Sequence, residues 1–142
     1  MSFDLKLLNK NLVLDNGKLS IVTSTNKLIQ DILKIILTPI GSNPSFPWYG
    51  CALVESMPGL NLDPTTRNAL IQSQIKNCID NLVALQLAQK KSSQNVSAAE
   101  HIASISDISV IQDSRDPRGI IITIKVLTKA FNTVTTSFSV TL

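Results

Sequence analysis

His101 is the only histidine in the chain, and it sits between Glu100 and Ile102. A histidine beside a carboxylate is raw material for proton transfer. A catalytic triad, however, also needs a nucleophile held against the ring, and no Ser or Cys can be set there from spacing. One imidazole makes no histidine metal cluster either. Asp113, Arg115, Asp116 and Arg118 crowd a single stretch before Gly119. Such a cluster could hold a cation or a phosphate. It reads better as a solvated hairpin end with local ion pairs, each worth about 0–1 kcal/mol. The five glycines are dispersed and no Gly-Lys-Ser/Thr occurs, which excludes a phosphate-binding loop. Glu55 and Asp63 converge on nothing that spacing reveals. The expectation is a protein that is not an enzyme, with no catalytic residue, no cofactor and no metal.

The two cysteines, Cys51 and Cys78, are too few and too far apart for a disulfide framework or a metal site. Cys78 falls on the apolar stripe of an expected helix, as a small buried hydrophobe does. Cys51 follows a loop and is expected to be partly exposed. Unpaired thiols fit a reducing compartment.

The segment from Ile35 to Gly50 gathers most of the chain's unusual residue types. An apolar helix runs into Thr38-Pro39-Ile40-Gly41, and Pro44, Pro47, Trp48 and Tyr49 follow before Gly50. The chain's single Trp and single Tyr are adjacent here. Prolines at this density restrict φ and remove donors, so an ordered connector is expected. Trp48 and Tyr49 have two readings. They plug the core beneath the loop, since aromatics carry large apolar area, or they anchor a protein interface.

The elements that must position these residues follow from pattern. Phe3, Leu5 and Leu7 alternate with polar residues. Asn16-Gly17 links two short strand-like runs, a hairpin signal because both turn positions need φ > 0. Ser24-Thr25-Asn26 supplies an N-cap for a helix whose apolar residues, Leu28, Ile32, Ile35 and Ile29, Leu33, Ile36, cover so much of its circumference that it should be central. Pro39 ends it. Met57-Pro58-Gly59 reads as a turn. Asp63-Pro64 then caps a long helix to about Lys91, with Ile71, Ile75, Cys78, Leu82 and Leu85 on its packing side. Lys90-Lys91 suits that helix's C-terminal end. Ser92 to Asn95 is a polar break, and Ser97 to Glu100 a single helical turn. Strands are expected over Ile105 to Gln112, Ile120 to Leu127 and Phe131 to Leu142. The fold class is α+β: an N-terminal β-hairpin, two main helices and a C-terminal antiparallel β-meander.

The last strand alternates cleanly. Val134, Phe138, Val140 and Leu142 face one way, and Thr133, Thr135, Ser137, Ser139 and Thr141 the other. The second set is uncharged and hydroxyl-rich. It marks either a mid-sheet strand or an edge open to a partner strand.

Composition narrows the function classes. At 142 residues the chain fits one domain, 1–142, and at 44% hydrophobic with only 16% charged residues part of its surface is expected to be covered by partners. The net charge of +3 is spread along the sequence, which argues against a nucleic-acid footprint. No apolar run is long enough to span a bilayer, and Met1-Ser2-Phe3-Asp4 does not begin a signal peptide.

The order of elements, with Leu37-Thr38-Pro39-Ile40-Gly41 and Pro47-Trp48-Tyr49-Gly50, resembles the sheath-initiator, or baseplate wedge, family of contractile phage tails, whose relatives occur in type VI secretion. The resemblance spans nearly the whole chain. It implies a structural protein of the virion tail baseplate, assembled in the host cytoplasm. It also implies partners: the tail sheath protein, baseplate wedge and hub proteins, and the adjoining tail tube, with six copies in a ring. The C-terminal sheet would template the first sheath ring by β-strand addition. Where that family carries Glu-Pro-Arg, a wedge-docking motif, this chain has Glu100-His101-Ile102. The resemblance implies that Glu100 keeps part of that role, with His101 as a pH-sensitive neighbour; the plainer alternative is a pair of exposed loop residues. The implied partner-binding residues are thus Glu100, His101, Trp48, Tyr49, Thr133, Thr135, Ser137, Ser139 and Thr141. A lysozyme label has also been attached to the family, and no pair of acid carboxylates here suits it. The competing function is a non-virion regulatory binding module, since a bacterial anti-adaptor that protects a sigma factor has a related fold.

Overall fold

The computed structural model describes residues 2–9, 11–56, 61–92 and 95–141. Short apolar runs separated by Asn and Gly fold the N-terminal segment into three two-stranded arms. β1 (Phe3–Leu5) pairs with β6 (Ile21–Thr23), β2 (Leu7–Leu8) with β3 (Asn11–Leu12), and β4 (Leu14–Asp15) with β5 (Lys18–Leu19), all antiparallel. Asn16 and Gly17 take φ of +50° and +75°, as the Asn-Gly turn requires. The arms meet at a closed ring of backbone bonds. Lys6 N–H donates to Ser20 O at 2.9 Å, Ser20 N–H to Val13 O at 2.9 Å, and Val13 N–H to Lys6 O at 3.1 Å. The expected single hairpin is therefore a three-armed junction.

α1 (Ser24–Leu37) follows directly. Its start departs from the expected side-chain cap. Thr23 is the N-cap residue and its side chain makes no capping bond, while Ser24 sits at φ +54°. The Ser24 N–H instead meets the carboxylate of Glu100, which lies far along the chain at 3.0 Å. A remote acid thus supplies both the acceptor and the negative charge that a helix N-terminus favours. At the other end Thr38 Oγ1 donates to Lys34 O at 2.6 Å, and Pro39 terminates the helix.

The Thr38 to Cys51 loop is closed on itself by backbone. Cys51 N–H donates to Thr38 O, Ile40 N–H to Cys51 O, and Gly41 N–H to Pro47 O. Gly50 at φ +123° is required here, since a Cβ would lie 2.6 Å from Thr38 O. α2 (Leu53–Ser56) is a single turn. The Met57-Pro58-Gly59 turn lies outside the described residues.

α3 (Pro64–Lys91) begins and ends where Asp63-Pro64 and Lys90-Lys91 place it, with Asp63 Oδ2 accepting from Thr66 N–H at 3.1 Å. It buries Ile71, Ile75, Cys78, Ile79, Leu82 and Gln86, while Leu85 is only half-buried. β7 (Ile102–Gln112), β8 (Gly119–Thr128) and β9 (Thr133–Thr141) form an antiparallel sheet in that spatial order. Ile102, Ile120, Ile122, Ile124, Val126 and Val134 close over α1 and α3 in one buried cluster. Cys51 belongs to that cluster and is fully buried, correcting the expectation of partial exposure. Its thiol lies within reach of Gln74 O on α3, and the neighbouring Cys51 thiol together with burial pushes the Cys78 pKa up. The architecture is α+β.

Candidate functional site

Sheet order makes β9 an edge, deciding the alternative that alternation left open. The Thr128 N–H to Asn132 O bond of 2.9 Å sets the phase of the β8–β9 ladder. With pairs alternating, Val134, Thr136, Phe138 and Val140 turn their backbone groups toward β8. Thr133, Thr135, Ser137, Ser139 and Thr141 then turn theirs outward, to a side that no strand among the described residues covers. The same five side chains are exposed on the solvent face. Ser137 Oγ lies 2.9 Å from Thr123 Oγ1 across the ladder, which stiffens the strand. Leu142 lies outside the described residues, and Thr136 is a buried polar member of the inner set.

An apolar groove runs beside this edge. It has a volume of about 1090 Å³ and is lined by Ser139, Val140 and Thr141 of β9, by Ile29, Leu33 and Leu37 of α1, and by Leu7 and Ile21 of the N-terminal arms. Among the described residues, Lys6 and Lys34 are the titratable groups that line it. Lys34 is committed to Asp4, 2.7 Å away, and Gln30 Nε2 donates to the same carboxylate at 2.9 Å. Burial opposes both charges, yet the pairing prevails: Asp4 is held below its ordinary value and Lys34 above. The ion pair and Gln30, which also bonds Leu5 O and Leu7 N–H, fasten the N-terminal arms to α1.

Trp48 and Tyr49 divide the two roles between them. Tyr49 packs partly against the core, and burial raises its pKa. Trp48 is 44% exposed and meets Phe46 and Tyr49 edge-on, with centroids 6.1 and 6.4 Å away. Phe46 is also exposed, so the loop offers an aromatic pair to solvent. Sequence reasoning passed over Phe46, although its spacing from Trp48 within a proline-fixed loop was a usable signal.

Glu100 and His101 do not form an exposed loop. They are 2% and 3% exposed, which corrects that reading. The Glu100 carboxylate accepts from Ser24 N–H and, at 3.3 Å, from Ser97 N–H. Gln86, buried on α3, donates to Glu100 O at 2.8 Å and accepts from Ile102 N–H at 3.0 Å. His101 O accepts from Lys129 N–H at 2.9 Å, and its ring reaches Ile102 O and Lys129 Nζ. The pair is a node tying α1, α3, β7 and the β8–β9 turn together. Its carboxylate oxygens are engaged within the chain, because a buried acid needs donors. Gln86 went unnoticed in the sequence, since one amide on a long helix has no pattern.

Three further acids make local structural bonds. Asp4 bonds Lys34, Asp31 bonds Lys27 at 2.7 Å, and Asp63 caps α3. Among the described residues no group of three or more His, Cys, Asp or Glu could hold a metal ion. Among the described residues no helix is long and apolar enough to cross a membrane. In the Asp113–Gly119 turn, Asp113 and Asp116 accept from the N–H groups of Arg115 and Arg118, as a self-satisfied hairpin end does.

Comparison with known proteins adds two likenesses. No family model matches the chain. It is 33% identical over 106 residues to transcription factor Dp-2 of Mus musculus, a match covering 70% of this chain and 24% of that protein. The chain thus spans about a quarter of the length of that curated relative. Among solved structures it is similar to a Geobacter sulfurreducens protein provisionally named a tail lysozyme, with a TM-score of 0.61. That match has 15% identity and covers 85% of this chain and 94% of the other. At that identity the likeness is one of fold: this chain shares the fold of the Geobacter protein.

Proposed function

We propose that this chain is a structural baseplate protein of a contractile phage tail, joining wedge and hub proteins to the sheath and templating the first sheath ring by β-strand addition. The observation that carries this reading is the β9 edge. Five alternate positions, all Ser or Thr, turn outward backbone groups that no strand among the described residues pairs, beside an apolar groove. An added strand would bond those backbone groups, and its inward side chains would enter the groove against Val140, Leu33 and Leu37. The shared fold with a protein named for a phage tail supports the setting, and the family resemblance of Thr38-Pro39-Ile40-Gly41 and Tyr49-Gly50 supports the finer role. Trp48 with Phe46 is the anchor offered to wedge or hub. Glu100 and His101 serve from inside, by holding α1 against the sheet, and the protein works by binding without turnover.

A cryo-EM map of the particle at the junction of baseplate and tail tests this. A sheath strand lying along Thr133–Thr141 is expected. A bare β9 edge with sheath bound elsewhere, or a particle lacking this chain, overturns it; the second result leads to the regulatory-module reading. Peptidoglycan clearing by the purified chain that is lost in Glu100→Gln would overturn the claim of no turnover.

A further inference from the structure

The three N-terminal arms share a pattern that pairing exposes. The junction residues Lys6, Val13 and Ser20 are spaced seven apart, and each is flanked by two large aliphatics: Leu5 and Leu7, Leu12 and Leu14, Leu19 and Ile21. Those six residues are cross-strand partners, Leu5 with Ile21, Leu7 with Leu12 and Leu14 with Leu19. Direct partners share a face, and so do residues two apart in a strand. All six therefore project from one side of the junction, with Phe3 beyond them. On the opposite side Val22 is buried and Asp4 reaches Lys34 and Gln30 of α1, while Leu8, further out on β2, is 60% exposed. On the projecting side the seven residues are 36–65% exposed.

This apolar face is larger than the rest of the monomer accounts for. The exposed area of the seven residues is on the order of 700 Å², above the roughly 300–600 Å² of a typical largest surface patch and near the roughly 800 Å² each partner contributes to a standard interface. We propose that the face docks a second copy of this chain about a two-fold axis, burying the six aliphatics and Phe3 against their counterparts. Three features of the face select a second copy. Its area is what one side of a stable dimer needs. Its three equivalent aliphatic pairs, arranged around a junction, form a surface that can interdigitate with itself. The tip of one arm carries one acid and one base, Asp15 opposite Lys18, so two copies meet without net repulsion. Two of the residues, Leu7 and Ile21, also line the groove beside β9, so the dimer would wall that groove from one side. The proposal is independent of strand acceptance, because it uses the N-terminal arms and leaves the β9 backbone free.

Sedimentation velocity of the purified full chain, from low micromolar to about 200 µM, reads the outcome directly. A monomer–dimer equilibrium is expected. Leu14→Asp, at a position that is 65% exposed, should weaken it at least about tenfold while circular dichroism and Trp48 fluorescence stay unchanged. Leu19→Cys gives a second readout, since both native thiols are buried: oxidation should yield a covalent dimer. A wild-type chain that stays monomeric overturns the proposal, as does a dimer indifferent to Leu14→Asp. A dimer lost instead in Ser137→Pro runs through the β9 edge and also overturns it. So does an open series of larger species.

Discussion

The two edges of the C-terminal sheet are built to opposite specifications. β7 is irregular, with register shifts between Ile102 and Ser104 and between Ile105 and Asp107. It carries the charge of Asp107, and Gln72 of α3 donates to Ile108 O at 2.9 Å, satisfying a β7 carbonyl with a side chain. Bulges, charge and cover are the usual means of keeping an edge from pairing with another chain. β9 has none of them. It pairs with β8 in unbroken register from Thr133 to Thr141 and carries neither charge nor proline. Of the two, β9 is the edge whose construction leaves strand pairing open, and it is the edge that the proposed function uses.

Two neighbouring prolines break the comparison most sharply. Thr136→Pro removes a ladder bond to β8 and should cost about 3 kcal/mol or more in urea unfolding. Ser137→Pro removes only an outward N–H. It should cost about 1 kcal/mol or less while abolishing binding of a strand peptide from the sheath protein. Equal destabilisation by both would show that the inferred ladder phase is wrong.

The next effect lies at the root of the closed edge, where Glu100 joins the start of β7 to the start of α1. Glu100→Ala leaves two N–H groups, of Ser24 and Ser97, without their acceptor and should cost about 1–3 kcal/mol. Chemical denaturation measures it, and a change within about 0.5 kcal/mol would show that the node is not structural. Gln72→Ala strips cover from β7 and should cost about 0.5–1.5 kcal/mol, with faster amide exchange along that strand. If β7 then bound the strand peptide, cover alone would distinguish the two edges.

The smallest effect concerns the arms that wall the groove. Asp4 is lowered in the fold, so its contribution is present above the ordinary value of 3.8 and is lost as pH falls through the lower folded value. Lys34 is raised, so its contribution is present below 10.5 and fades as pH rises through the folded value. Both side chains are only partly buried, 28% exposed for Asp4 and 40% for Lys34, so solvent still screens the pair, and Asp4→Asn should cost only about 0–1 kcal/mol at neutral pH and flatten stability between acid and neutral pH. An unchanged pH profile in Asp4→Asn would sink the assignment.

Local rules made much of this protein legible. Pro39 and Asp63-Pro64 act through φ and through missing or satisfied donors within a few residues, so the end of α1 and the span of α3 followed from neighbours alone. The alternation of β9 told which side chains face solvent for the same reason, since the period of a strand is a local property. Gly41 and Gly50, the glycines of the Thr38–Gly50 loop, were visible as a motif. The reason for Gly50, however, needed the approach of Thr38 O.

What tertiary structure alone decided is everything that depends on a distant partner. Whether β9 is an edge depends on what lies beside it. Whether Glu100 is exposed depended on Ser24 arriving from the other end of the chain, and Cys51 was buried by Cys78 and α3. The junction of three arms was hidden because it is closed by backbone bonds among Lys6, Val13 and Ser20, pairings that no strand alternation or turn signal reports. Local pattern reports on bonds within a few residues; burial, edges and junctions are set by contacts whose loop-closure cost only the assembled core repays.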